Sequence, residues 1–83
     1  MTRWCVYLLL CRDGSLYAGA TNDLAARLAK HRSGRGARYT RGRGPLALAF
    51  CEPAADRGAA LRRERQLKRL RRKEKLRLVG RLG

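Results

Sequence analysis

The feature that most constrains this chain is its opening, where two runs of strand-forming residues flank a single turn. Trp4 to Arg12 reads WCVYLLLCR, Asp13-Gly14-Ser15 is a turn signal, and Leu16 to Thr21 reads LYAGAT. Together they predict a β-hairpin, and its register decides which side chains share a face. A three-residue loop at Asp13 to Ser15 pairs Cys11 with Tyr17 and Leu9 with Gly19. Tyr7 and Tyr17 then face the same side. A two-residue loop separates them, because a one-residue slip inverts every side chain.

A helix is expected from about Asp23 to His31. Thr21 or Asn22 is placed to cap it, and Asp23 complements the positive end of the helix dipole. At about 100° per residue, Leu24 and Leu28 define the buried stripe. Arg27 and His31 fall on one flank of it, one turn apart. Arg32 to Gly44, RSGRGARYTRGRG, has five arginines and four glycines around Tyr39 and no apolar period. It reads as a long loop, and loops of that length tend to be functional or disordered. Pro45 to Cys51 is a third strand, with Leu46, Leu48 and Phe50 expected on one face.

A second helix starts near Asp56, which suits the N-cap, and runs to about Leu70. Leu61 and Leu67 mark its core stripe, supported by Ala60. Glu64 lies on that same arc, whereas Arg62, Arg63 and Arg65 point away. A carboxylate in an apolar stripe is costly without a partner. Lys73 to Leu82 reads as a weaker third helix interrupted by Gly80. The order β-β-α-β-α-α implies a single small α/β domain over residues 1–83. Its three-stranded, mainly antiparallel sheet is flanked by helices. So short a chain buries a thin core, and any active site should be an open groove on one face.

Twenty-one Lys and Arg oppose six Asp and Glu, a net charge of +15. Self-repulsion of that size opposes compaction, and a polyanion relieves it. Nucleic acid is the leading partner, because neutralising phosphates releases condensed counterions. Seventeen of the cations are Arg, whose fork suits bidentate phosphate contacts. No basic helix carries the Trp/Phe-rich apolar face of a membrane-surface helix. The N-terminal apolar run of about seven residues is too short to span a bilayer. Cys5, Cys11 and Cys51 are odd in number and lack CxxC spacing, which argues against a disulfide framework or zinc site. They read as buried small hydrophobes in a reducing cytoplasm.

Arg27, His31, Tyr7, Tyr17 and the inward Glu64 suit phosphodiester hydrolysis. A lone carboxylate can hold Mg²⁺, which keeps much of its water and prefers oxygen ligands. An Arg can neutralise charge on the phosphate oxygens, and a Tyr or His can orient or deprotonate water. Each residue also has a plainer reading. The tyrosines can be strand aromatics with wet hydroxyls, and Arg27 can lay its stem along the core edge. His31 can complement a helix C-terminus, and Glu64 can form a structural ion pair with Arg27.

In order and spacing these residues resemble the GIY-YIG nucleases. Cys5-Val6-Tyr7 stands for the first motif and Tyr17-Ala18-Gly19 for the second. Arg27, His31, the Gly34 to Gly42 loop and Ala60-Leu61-Arg62-Arg63-Glu64 follow in order. The chain is most similar to the small stand-alone bacterial branch, the UPF0213 group. The resemblance implies a metal-dependent endonuclease with Mg²⁺ or Mn²⁺ on Glu64, leaving a 5′-phosphate and a 3′-hydroxyl. It implies that Tyr17 orients or deprotonates water with Tyr7 assisting, and that Arg27 grips the scissile phosphate. His31, at a position where relatives carry Tyr or His, would act in nucleophile activation or at the leaving group. Both motifs lose their isoleucine, the first loses its Gly to Cys5, and Ala20 stands where some relatives carry Lys. That leaves one fewer fixed cation at the site.

DNA is the expected partner, with low sequence specificity and a preference for single-stranded or branched forms. Arg35, Arg38, Tyr39, Arg41 and Arg43 are the expected phosphate and base contacts. A non-catalytic nucleic-acid-binding module on the same fold is the second reading, and an RNA- or ribosome-associated basic protein the third.

Overall fold

A computed structural model of the chain describes residues 3–33 and 46–80. Its elements run β1 (Cys5–Leu10), β2 (Leu16–Thr21), α1 (Leu24–Arg32), β3 (Ala47–Pro53), α2 (Arg57–Arg69) and α3 (Arg72–Gly80). β1 is central in a three-stranded sheet of order β2-β1-β3, antiparallel to both neighbours. The β-β-α-β-α-α order and the small α/β architecture are those expected from the sequence.

The hairpin loop sits one residue earlier than expected. Gly14 N–H donates to Cys11 O at 2.9 Å, and Cys11 N–H donates to Ser15 O at 2.9 Å. Gly14 has φ +84°, the left-handed residue that closes a three-residue loop after a type I turn. Arg12-Asp13-Gly14 is therefore the loop, and Ser15 is held outside it by the Asp13 carboxylate. Moving the loop by one residue moves the pairing by two. Tyr7 opposes Gly19 and Leu9 opposes Tyr17. A shift of two preserves the faces, so Tyr7 and Tyr17 still share a side.

β3 departs further from expectation. Its register against β1 slips between Leu8 and Leu9, so Leu8 opposes Phe50 but Leu9 opposes Leu48. Ala49 is the extra residue, and such a bulge reverses the alternation of the residues before it. Leu46 and Phe50 consequently lie on opposite faces, and Leu48 is exposed.

The sheet has two unlike faces. On one, Val6, Leu8, Ala18 and Phe50 pack against Ala60 and Leu67 of α2, with Leu78 and Val79 of α3 alongside. Asp56 caps α2 as expected, its carboxylate accepting from Ala59 N–H at 2.8 Å. Arg63 does not point away as expected, since its Nε donates to Glu52 on β3 at 2.8 Å. α3 begins one residue earlier than expected, and Arg72 donates to the Gly14 carbonyl, tying the helix to the hairpin loop.

On the other face, Tyr7, Leu9, Cys11 and Leu46 are covered by Tyr17 and by Leu24 and Leu28 of α1. The N-cap of α1 is Asp23, which accepts from Ala26 N–H at 3.1 Å, and not Thr21 or Asn22. Buried Thr21 instead binds the Asp23 backbone on both sides of its hydroxyl, fixing the turn into the helix. The fully buried residue of α1 is His31, while Leu24 and Leu28 are half-buried.

Candidate active site

Three elements converge on one phenol. Tyr7 leaves β1 opposite Gly19 and leans across it, so that a Cβ at Gly19 would lie 2.4 Å from Tyr7 Oη. The position needs glycine because another side chain occupies that space. Beyond Gly19, Tyr7 Oη and His31 Nε2 are 3.1 Å apart in a buried hydrogen bond. The His31 ring stands edge-on to Tyr7 and to Tyr17, with centroids 6.1 and 5.4 Å away. Tyr7 is sealed, 1% exposed, whereas Tyr17 is half-buried and is the more open of the two.

The electrostatics identify the remaining members. Burial foremost, then Tyr17, pushes the Tyr7 phenol up to about 12; the Arg27 charge pulls it down, and Glu64 and Cys5 push it up. Glu64 on α2 and Arg27 on α1 therefore act on the same hydroxyl, although their helices pack on opposite faces of the sheet. α2 packs more extensively on β2 than on β1. His31 is held below its usual pKa, first by burial and then by the Arg27 guanidinium. At neutral pH the pair is thus a protonated phenol and a neutral imidazole. In the Nδ1–H tautomer, Nε2 accepts the Tyr7 proton.

Arg27 is exposed and lines a shallow groove of about 150 Å³ with Thr21, Asn22, Asp23, Ala26 and Lys30. The Glu64 side chain keeps 19% of its surface, so it is neither sealed nor fully wet. Its ion-pair partner is Lys68, one turn on at 3.5 Å, and not Arg27. Lys68 is itself mostly exposed, and such a pair holds its geometry weakly, leaving the carboxylate available. Among the described residues there is no cluster of three or more His, Cys, Asp or Glu that could cage a metal. That donor set does not suit zinc. One accessible carboxylate, with water and phosphate oxygens completing the shell, fits Mg²⁺ or Mn²⁺.

Tyr7, Tyr17 and His31 are thus in contact, while Arg27 and Glu64 reach the Tyr7 hydroxyl through their charge. Arg35, Arg38, Tyr39, Arg41 and Arg43 lie outside the described residues. Sequence reasoning missed Lys68 and Lys30, although their i,i+4 and i,i+3 spacings from Glu64 and Arg27 carry the signal. It also missed that Cys5 and Cys51 meet, the Cys5 thiol being pushed up to about 11 by burial first and by Cys51 second.

Residues 3–77 match the GIY-YIG catalytic domain. The chain belongs to the GIY-YIG family. A UPF0213 protein of Cronobacter sakazakii is 46% identical over 80 residues, covering 96% of this chain and 84% of that one. UPF0213 protein YhbQ of Escherichia coli is 47% identical over 80 residues, covering 96% and 80%. Among solved structures, the UPF0213 protein of Bacillus halodurans superposes with a TM-score of 0.60 at 45% identity, covering 94% of this chain and 83% of that one. A protein of E. faecalis superposes with a TM-score of 0.66 at 36% identity, covering 99% and 88%. The chain is thus a UPF0213-type GIY-YIG protein, and this GIY-YIG domain places it in a superfamily of endonucleases that act on nucleic acid. No described helix is long and apolar enough to cross a membrane.

Proposed function

We propose that this GIY-YIG protein is a metal-dependent nuclease that hydrolyses DNA phosphodiester bonds with low sequence specificity, single-stranded or branched DNA included. The observation that carries this reading is the buried Tyr7–His31 hydrogen bond above Gly19, with Tyr17 edge-on to His31 and the charges of Arg27 and Glu64 acting on the Tyr7 hydroxyl. A purely structural cluster has no need to bring a guanidinium and a carboxylate near one phenol while leaving both reachable from solvent.

Arg27 is the phosphate grip. It is exposed beside the groove and always charged, so it can gather the oxygens on which negative charge develops. Tyr17, the open phenol, orients the attacking water. The Tyr7 hydroxyl passes its proton to His31 Nε2, whose neutral form can accept it at neutral pH, and takes one up in turn from the water side. Tyr7 thus relays the proton and positions the imidazole. Its pKa of about 12 keeps it protonated, and its hydrogen bond fixes the imidazole. Glu64 is the residue that would hold Mg²⁺ or Mn²⁺, which when bound supplies charge stabilisation at the phosphate and the departing oxygen.

The test is cleavage of single-stranded, branched and duplex DNA by the purified chain with Mg²⁺ or Mn²⁺, with RNA in parallel. Glu64→Ala should abolish cleavage while most DNA affinity survives, and EDTA should reproduce the variant. Intact substrates of every form, bound but uncut, would favour the non-catalytic binding module. Preferential cutting of RNA would move the substrate class.

A further inference from the structure

The cations of α2 and α3 are not absorbed by the site. Residues 57–77 carry eleven Lys and Arg against two Glu. Arg63 is spent on Glu52, Lys68 on Glu64 and Arg72 on the hairpin carbonyl. Arg62, Arg65 and Arg69 are exposed and have no acidic partner among the described residues. Ala60 and Leu67 are the buried residues of α2. At 100° per residue the three arginines lie within about 60° of one another, on the side away from them. Lys73 and Arg77, both exposed, repeat this on α3, opposite the half-buried Leu78 and Val79.

We propose that this outward face of α2 and α3 is a second nucleic-acid contact surface, gripping the phosphate backbone of a duplex segment on the side of the sheet away from Tyr7 and His31. It rests on the nucleic-acid reading above and adds where the duplex lies. Arg62 to Arg69 spans about 10 Å of helix axis, a length over which duplex DNA carries about six charges. An unneutralised row of guanidiniums on so cationic a chain is a repulsive cost in the free protein, and duplex phosphates remove it. The only large exposed apolar residue of α3 is Leu76, so the face lacks the apolar half of a membrane-surface helix. With the reactive cluster on one face and this row on the other, one substrate meets both by bending or branching around the β2 edge.

The experiment uses the full chain carrying Arg62→Gln, Arg65→Gln and Arg69→Gln together. The charge-matched control carries Arg3→Gln, Arg12→Gln and Arg32→Gln, all exposed positions. Anisotropy with a fluorescein-labelled 30-base-pair duplex is read across a salt series, with equal thermal melts confirming the fold. The helix variant should flatten the slope of log K against log salt by about 2.7 units, the control by clearly less. Cleavage of a 12-nucleotide single strand should be unchanged. If both variants flatten the slope equally, or neither does, the surface is rejected while the nucleic-acid reading stands. Loss of binding to phosphatidylserine vesicles without loss of duplex binding also rejects it. A wild-type chain that binds no nucleic acid overturns the reading beneath it.

Discussion

The two faces of the sheet are built on different principles. Beneath α2 and α3, Val6, Leu8, Ala18, Phe50, Ala60 and Leu67 form an apolar contact, with the half-buried Arg63–Glu52 pair joining α2 to β3. Beneath α1, the corresponding layer contains a phenol, an imidazole and the Cys11 thiol, and its covering leucines are only half-buried. A chain of this length has about 4–12 kcal/mol of net stability to work with. An apolar face of this kind leaves the other free to hold groups that cost stability and perform chemistry. Glu64 belongs to a helix of the first face yet acts on a residue of the second. It is the point where the two meet.

Substitutions should separate the faces, and the largest effects belong to the reactive one. Glu64→Gln should bring cleavage below detection with an unchanged melting temperature, since among the described residues the carboxylate makes one weak ion pair, with exposed Lys68. Arg27→Ala should cost about 10²–10³ in kcat, again with little change in melting, because its guanidinium is exposed. Leu67→Ala should do the opposite. Leu67 is fully buried, and its truncation should cost about 2–5 kcal/mol by denaturant unfolding, while activity per folded molecule persists. A melting loss of that size in Glu64→Gln would mean that the carboxylate is structural and that the division is wrong.

The reactive face was legible where chemistry dictates residue type. Arg27, His31 and Glu64 were out of place for a plain core, and the structure sets His31 against Tyr7 and Tyr17. The supporting geometry was harder to read. Ala49 gives no signal of a bulge, so Leu46, Leu48 and Phe50 read as one face. Arg63 read as a solvent residue because its partner Glu52 sits eleven positions away on another element. Asp13 and Ser15 suggested a loop one residue late, because the Asp13 carboxylate binds Ser15 just outside the turn. The burial of His31 depends on Tyr7 reaching over Gly19, a long-range pairing that no local period reports.

Gly19→Ala tests that pairing with an intermediate effect. The new methyl falls on the Tyr7 hydroxyl, so the phenol must leave its hydrogen bond with His31. The cost should be about 1–3 kcal/mol of overpacking, accompanied by loss of activity. One substitution should therefore damage both faces' readouts together, unlike Leu67→Ala or Glu64→Gln. Normal cleavage in this variant would show that the Tyr7–His31 bond is not needed.

The smallest effect is on pH dependence, and its sign follows from His31. The folded protein holds the imidazole below 6.5, through burial first and Arg27 second. Between that depressed value and 6.5 the unfolded chain binds the more protons, so stability rises with pH across the window. The contribution is complete above about 6.5 and is lost as pH falls through the folded pKa. Cleavage should show the same acid limb, because His31 must be neutral to accept a proton. The profile of kcat/KM should therefore rise to a plateau with a midpoint below 6.5, and His31→Gln should remove the limb from the unfolding curve. A midpoint above 6.5 would mean that His31 is stabilised in its charged form, leaving Nε2 no lone pair for the proton relayed through Tyr7.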